Sequence, residues 1–325
     1  MIWKLQPNRV RRAYFGGEHI DALHGDPPVR GRYPEEWIAS CAAAFNPDCP
    51  KPNEGYSALP DGTLLRDLLA DRPVLLGRPG PMRLLLKLLD AGERLVIQAH
   101  PTRPFAKQFF HSAFGKTECW YFLNDGAVYI GFRPGITQAA WRACFASQDI
   151  DAMLGLLHHV PVRRGELVFV AGGVPHAIDG GSFLAELQEP TDLMVIPERV
   201  TPSGVHLADE KLHGGLGFDR MFDCFTYDGV TESELRAKYW VPPRPVDAVQ
   251  TVLLDRDTTD QFRMVRLCVS GAYRYPLPGY AVAVAIDGSG TLNGAPVRTG
   301  DSFFIDAQTD ALRLDGTFTL LVCTE

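Results

Sequence analysis

Apolar and polar positions follow two different periods along this chain, and the period changes every ten to twenty residues. Residues 63–70 (Thr-Leu-Leu-Arg-Asp-Leu-Leu-Ala) carry apolar side chains at helical spacing. Residues 82–90 are too apolar for a surface helix and suit a buried strand, although periodicity alone leaves a helix open. After the Ala91-Gly92 turn, residues 94–100 alternate. That predicts a strand with Gln98 and His100 on one face and Ile97 and Ala99 on the other. Residues 119–132 read as a hairpin, two β-rich runs around Asn124-Asp125-Gly126. Residues 137–158 are a helical patch, with Trp141, Phe145, Ile150, Met153, Leu154 and Leu157 roughly at helical spacing, and residues 165–200 return to strands. Val241-Pro242-Pro243-Arg244-Pro245 is the clearest linker, and residues 248–325 read as short strands between glycine turns. The sum is mostly β structure with helices inserted in the first half, which favours a sandwich or small barrel over a parallel α/β sheet.

Composition narrows the function. The chain has 325 residues, enough for about two domains. Its formal charge is −7 with no long Lys/Arg run, which argues against nucleic acid. No window approaches eighteen consecutive apolar residues, and the N-terminus has no charged region followed by a long apolar one. The expected location is the cytoplasm, as a monomer or homodimer. Seven widely spaced cysteines without a Cys-x-x-Cys pair read as small buried hydrophobes.

The candidate chemistry lies in Gln98, His100, Glu118 and His176. Imidazole, carboxylate and amide donors suit a first-row metal, and a set without thiolate leaves positions for water and substrate, as catalytic sites do. Each residue alone has a bland reading as a hydrogen-bonded or surface group. His19, His24, His111, His158, His159, His206 and His213 are read as solvated or structural.

Spacing lifts the four above that background. Gly92, five residues, Gln98, Ala99, His100 and a later Glu118 resemble the first cupin motif, with Gln in place of its first His. Gly165 through Pro175-His176 resembles the second, with Ala171 in place of a Pro. Gln98-Ala99-His100-Pro101, Lys116-Thr117-Glu118 and Pro175-His176-Ala177, with the Glu-x-Trp of Glu35-Glu36-Trp37 near the N-terminus, are similar to the class I, zinc-dependent mannose-6-phosphate isomerases.

That resemblance implies a mainly β fold. A cupin (jelly-roll) sandwich would span residues 1–240 with helical insertions at about 57–90 and 135–160. A smaller C-terminal β domain at 246–325, which contains no histidine, would be metal-free. It implies one Zn2+ held by Gln98, His100, Glu118 and His176, and a sugar phosphate, mannose 6-phosphate, as substrate. An aldose–ketose exchange moves a proton between C1 and C2 through an enediol(ate), so it needs an electrophile and a base. Lys116 and Glu186 are the candidates for acid/base work; Trp37, Lys116 and Asp192 are the candidates for substrate binding. The family's active-site arginine falls on Ile196 in this chain, and Arg199 is the expected substitute. Lys116, or Arg103 and Lys107, are the alternatives for the phosphate. Two other readings stay open: a metal-binding cupin that binds or senses sugars, or isomerises a different one, and an iron cupin dioxygenase, against which the neutral amide of Gln98 speaks.

Overall fold

The structure, a computed structural model, describes residues 1–325 apart from 30 and 48. The first 241 residues carry strands β1 (Ile2–Lys4), β2 (Arg9–Val10), β3 (Glu35–Ile38), β4 (Leu85–Asp90), β5 (Glu118–Phe122), β6 (Gly126–Phe132), β7 (Leu157–Val162), β8 (Leu167–Val170), β9 (His176–Ile178), β10 (Phe183–Gln188) and β11 (Trp240–Val241). A seven-stranded antiparallel sheet runs β11-β8-β5-β10-β4-β3-β2, and a three-stranded sheet runs β7-β6-β9.

The alternation within β4 decides which side of the large sheet does what. Leu86 and Leu88 face the C-terminal sheet and pack with Cys119, Leu187, Met264, Val282, Leu321 and Cys323. Leu89 faces the other way, toward the small sheet, with Trp120, Val168, Leu184, Ile130 and Ile178. A strand buried on both faces loses its polar alternation, which is why residues 82–90 looked uniformly apolar. Lys87 interrupts that run on the small-sheet side and is buried.

Residues 244–324 form the nine-stranded antiparallel sheet, which also takes in β1, pairing Ile2–Lys4 with Phe303–Ile305. The N-terminal ammonium meets buried Asp306 at 2.6 Å. The first residues therefore sit in the C-terminal sheet, outside the 1–240 division that the sequence suggests. The same region reads as all-β in sequence and structure alike, and the proline-rich linker is itself paired: β11 on β8, and Arg244–Pro245 on the strand Gln250–Leu254.

Several local expectations are corrected. Residues 119–132 are not a hairpin: β5 pairs with β8 and β10, whereas β6 pairs with β7 and β9, so the Asn-Asp-Gly turn carries the chain between sheets. The inserted helix spans Leu65–Asp71, followed by a 3-10 turn at Pro73–Leu76, and the rest of 57–90 includes β4. The second helical patch splits into Gln138–Ser147 and Ile150–Gly155 and ends where β7 begins. Of the cysteines, Cys119, Cys224 and Cys323 are buried but Cys268 is exposed. No helix among the described residues is long and apolar enough to cross a membrane.

Candidate metal centre and cleft

The metal-ligand candidates arrive from three directions. Glu118 opens β5 and faces the small sheet with Trp120, whose Nε1 donates to Glu118 Oε1 at 3.0 Å. His176 opens β9 after a tight turn in which Gly173 has φ +91° and lies so close to Thr226 that a Cβ would clash. His100 ends residues 94–100, which do not form a regular strand. Only Gln98 and Ala99 bridge to neighbours, at His176 and Val195. Instead Glu198 grips the segment: it takes both terminal nitrogens of Arg94 at 2.7 and 2.8 Å and the Ile97 amide at 2.5 Å. The facing pattern still holds, with Ile97 and Ala99 in the core and Gln98 lining the cleft.

The donor atoms of His100, Glu118 and His176 lie within 4.8 Å of one another, and all three residues are buried. His100 Nε2 is 3.2 Å from Glu118 Oε2, and His176 Nε2 is 3.4 Å from Oε1. Nδ1 of His100 hydrogen-bonds to the Leu193 carbonyl at 3.0 Å, and Nδ1 of His176 to the Val174 carbonyl at 2.9 Å. These bonds place the ring protons on Nδ1 and leave both Nε2 lone pairs directed at the carboxylate. His176 Nε2 is buried without a hydrogen-bond partner, whereas Glu118 Oε2 has the Lys116 ammonium at 3.0 Å. Burial pushes the His176 pKa down to about 3, and burial with the Lys116 charge lowers that of His100. Both imidazoles are thus neutral at pH 7. Burial alone would raise Glu118, but the Lys116 charge outweighs it and keeps the carboxylate ionised. Two neutral imidazoles and a carboxylate converging on one point, with the His176 lone pair unmet, fit a divalent cation. Gln98 bridges His176 through the backbone and lines the adjoining cleft.

Beside this cluster opens a cleft of about 870 Å³ of free space, counted with the solvent at its mouth. Lys116, two residues before Glu118, lines it with Nζ 3.0 Å from Glu118 Oε2 and 2.8 Å from His100 Nε2. Glu186, on the neighbouring β10, also lines it and accepts from Lys87 Nζ at 3.0 Å. Further on, Glu35 meets Lys87 at 3.5 Å, Arg12 Nε at 2.9 Å, Tyr14 Oη at 2.6 Å and Trp37 Nε1 at 2.7 Å. Arg12 forks onto Asp192 through Nη1 at 2.8 Å and Nη2 at 2.7 Å.

Some expected site residues take other places. Trp37 is buried beneath Arg12 and Lys87, and Asp192 grips Arg12; neither lines the cleft. Arg199 is not among the residues that line the cleft. It pairs with Asp209 at 2.6 Å and lies over the rings of Phe145 and Phe218, away from the cleft that Ile196 lines. Arg103 is held by Glu189 at 2.5 Å, and neither it nor Lys107 lines the cleft. Arg12, Lys87, His206 and Lys211 do line it and were missed. A lysine inside an apolar run was the available signal for Lys87; Arg12 had none, because a basic N-terminal pair looks like solvated surface.

The buried ion pairs make a pH prediction. Burial would raise Glu35, but Arg12 and Lys87 outweigh it and hold the pKa at about 2. A depressed carboxylate pKa stabilises above the unfolded value near 4.5, and that contribution is lost as pH falls toward 2. Wild-type protein should lose up to ~3 kcal/mol more than Glu35→Gln between these pH values, measured by urea unfolding. Equal slopes for the two proteins would contradict it.

With this geometry in view, comparisons with known proteins are decisive. No family model matches the chain. The probable mannose-6-phosphate isomerase GmuF of Bacillus subtilis (strain 168) is 32% identical over 281 residues, which is 82% of this chain and 85% of that protein. The chain belongs to the mannose-6-phosphate isomerase family. Another member, the mannose-6-phosphate isomerase of Streptococcus mutans, is 33% identical over 40% of this chain and 42% of its own. The crystal structure of the mannose 6-phosphate isomerase from Bacillus subtilis matches the fold over 100% of this chain and 99% of that one, with TM-score 0.79 at 21% identity. A zinc-bound mannose 6-phosphate isomerase matches over 100% and 99%, with TM-score 0.73 at 15% identity. The cupin-type architecture expected of this family is therefore the fold observed.

Proposed function

We propose that this chain interconverts mannose 6-phosphate and fructose 6-phosphate, with one Zn2+ held by Gln98, His100, Glu118 and His176. The observation that carries the reading is the buried His100-Glu118-His176 cluster, joined through Lys116 to a cleft that Lys116, Gln98 and Glu186 line. When bound, the zinc supplies a Lewis acid that polarises the carbonyl and stabilises an oxyanion.

The chain's own groups do the rest. Glu186 is a carboxylate at the cleft wall, held through Oε1 by Lys87. It takes the proton from C2 of the aldose and returns it to C1. The Lys116 ammonium, buried against Glu118, donates to the substrate oxygen that gains charge. Four cations, Arg12, Lys87, Lys116 and Lys211, line the cleft. Glu35 and Glu186 in its wall, with Asp192 and Glu118 behind, balance them one for one. A divalent ion then leaves two positive charges, which suits a phosphate dianion.

Zinc-loaded protein should convert mannose 6-phosphate to fructose 6-phosphate in a coupled assay, while mannose itself is turned over at least tenfold less efficiently. Absence of ketose from several aldose phosphates would sink the reading. A second reading, a sugar-binding protein without turnover, is favoured by Ile196, which lines the cleft and donates no hydrogen bond. Binding of the sugar phosphate without conversion would favour that one.

A further inference from the structure

The polar groups on the small-sheet side of the large sheet form a row. Glu118 lies on β5, Glu186 on β10 opposite Trp120, and Lys87 on β4 opposite Glu186. Glu35 lies on β3, and Arg12 follows β2 at the sheet edge. Adjacent strands are about 4.8 Å apart, so the row from Glu118 on β5 to Glu35 on β3 crosses three strand spacings, ~14 Å of backbone, with Lys87 Nζ joining Glu186 at 3.0 Å to Glu35 at 3.5 Å along the way. A substrate whose carbonyl end lies at the metal ligands therefore extends toward Arg12.

The cations nearer the metal are engaged: Lys116 by Glu118 and His100, Lys87 by Glu186 and Glu35. Arg12 is different. A guanidinium has five N–H donors. One goes to Glu35 and two to Asp192, so two have no acceptor among the described residues, although the side chain is buried in the cleft wall. Such donors need water or a ligand. Lys211, which donates to the Phe45 carbonyl, lines the same cleft and acts electrostatically on Asp192. The neighbouring wall is apolar at Met194, Ile196, Val205 and Leu207.

We propose that Arg12, clamped by Asp192 and Glu35, receives the phosphate of the substrate, with Lys211 as a second cation beside it. Asp192 is then a positioning residue: its fork sets the plane of the guanidinium, and its charge is met by Arg12 and not by the sugar. The proposal rests on the isomerase reading only for the identity of the anion.

The test is calorimetric binding of mannitol 1-phosphate, the reduced open-chain form of mannose 6-phosphate, to the zinc-loaded protein, with mannitol as control. Arg12→Lys keeps the charge and loses the fork. It should weaken binding about tenfold and raise KM for mannose 6-phosphate by a similar factor, with a smaller fall in kcat. Lys211→Met should weaken binding threefold or more, leaving zinc content at one per chain. Unchanged affinity in folded Arg12→Lys overturns the proposal. If that variant does not fold, Lys211→Met decides, and unchanged affinity there overturns it equally. Weaker binding of mannitol 1-phosphate by these variants, together with a wild-type protein that binds it but converts no mannose 6-phosphate, would support the anion site and remove the isomerase reading.

Discussion

His176→Ala should empty the metal site and lower turnover of mannose 6-phosphate by about a thousandfold or more. His176 contributes a lone pair that is buried, neutral at pH 7 and without a protein partner. Its Nδ1 bond to the Val174 carbonyl orients the ring from the turn before β9. Truncation removes that donor and leaves His100 and Glu118, with Gln98, to hold the ion. Zinc per chain measured by mass spectrometry should fall well below one, together with activity. Excess zinc should restore activity in part, because the remaining donors are still in place. A variant that kept one tightly held zinc and wild-type turnover would exclude His176 as a ligand.

Glu186→Gln should lower kcat by about 10²–10⁴-fold while zinc stays at one per chain. The amide keeps the shape of the side chain on β10 but cannot accept a proton from C2. The substitution also removes a partner of buried Lys87, whose remaining carboxylate is Glu35 at 3.5 Å. Breaking a buried pair costs several kcal/mol, so the folded fraction and the zinc content must be measured beside the rate. Lys87→Met breaks the same pair and leaves the Glu186 carboxylate in place. If Glu186 is the base, the Gln variant loses more kcat than the Met variant at equal folded fraction. Equal losses in both would reduce Glu186 to a structural role.

The His100-Glu118-His176 cluster and the residues beside it are legible as candidates in the sequence. Gln98, His100, Glu118, His176 and Lys116 sit in short motifs whose intervals are set by local geometry: a strand-like alternation, a Lys-x-Glu on one side of β5, and a glycine turn before β9. Local rules of this kind survive folding because they depend on neighbours in sequence. The buried run at residues 82–90, the helix at Leu65–Asp71 and the all-β C-terminal region were legible for the same reason.

What sequence could not reach was pairing between distant segments. The Asn124-Asp125-Gly126 turn looked like a hairpin because turn chemistry is local, while the partner of each strand is chosen by which face finds a core. β5 found β8 and β10; β6 found β7 and β9. Arg199 looked available because it follows Ile196 closely, but Asp209 and two aromatic rings hold it elsewhere. Arg12 carries no local signal in the sequence; Asp192, 180 residues away, and Glu35 bury it. By itself the sequence determined the donor types, their local spacing and the β character of the chain. Only the tertiary structure decided which charges share one low-dielectric cleft, because burying an ion requires a partner that the chain supplies from far along its length.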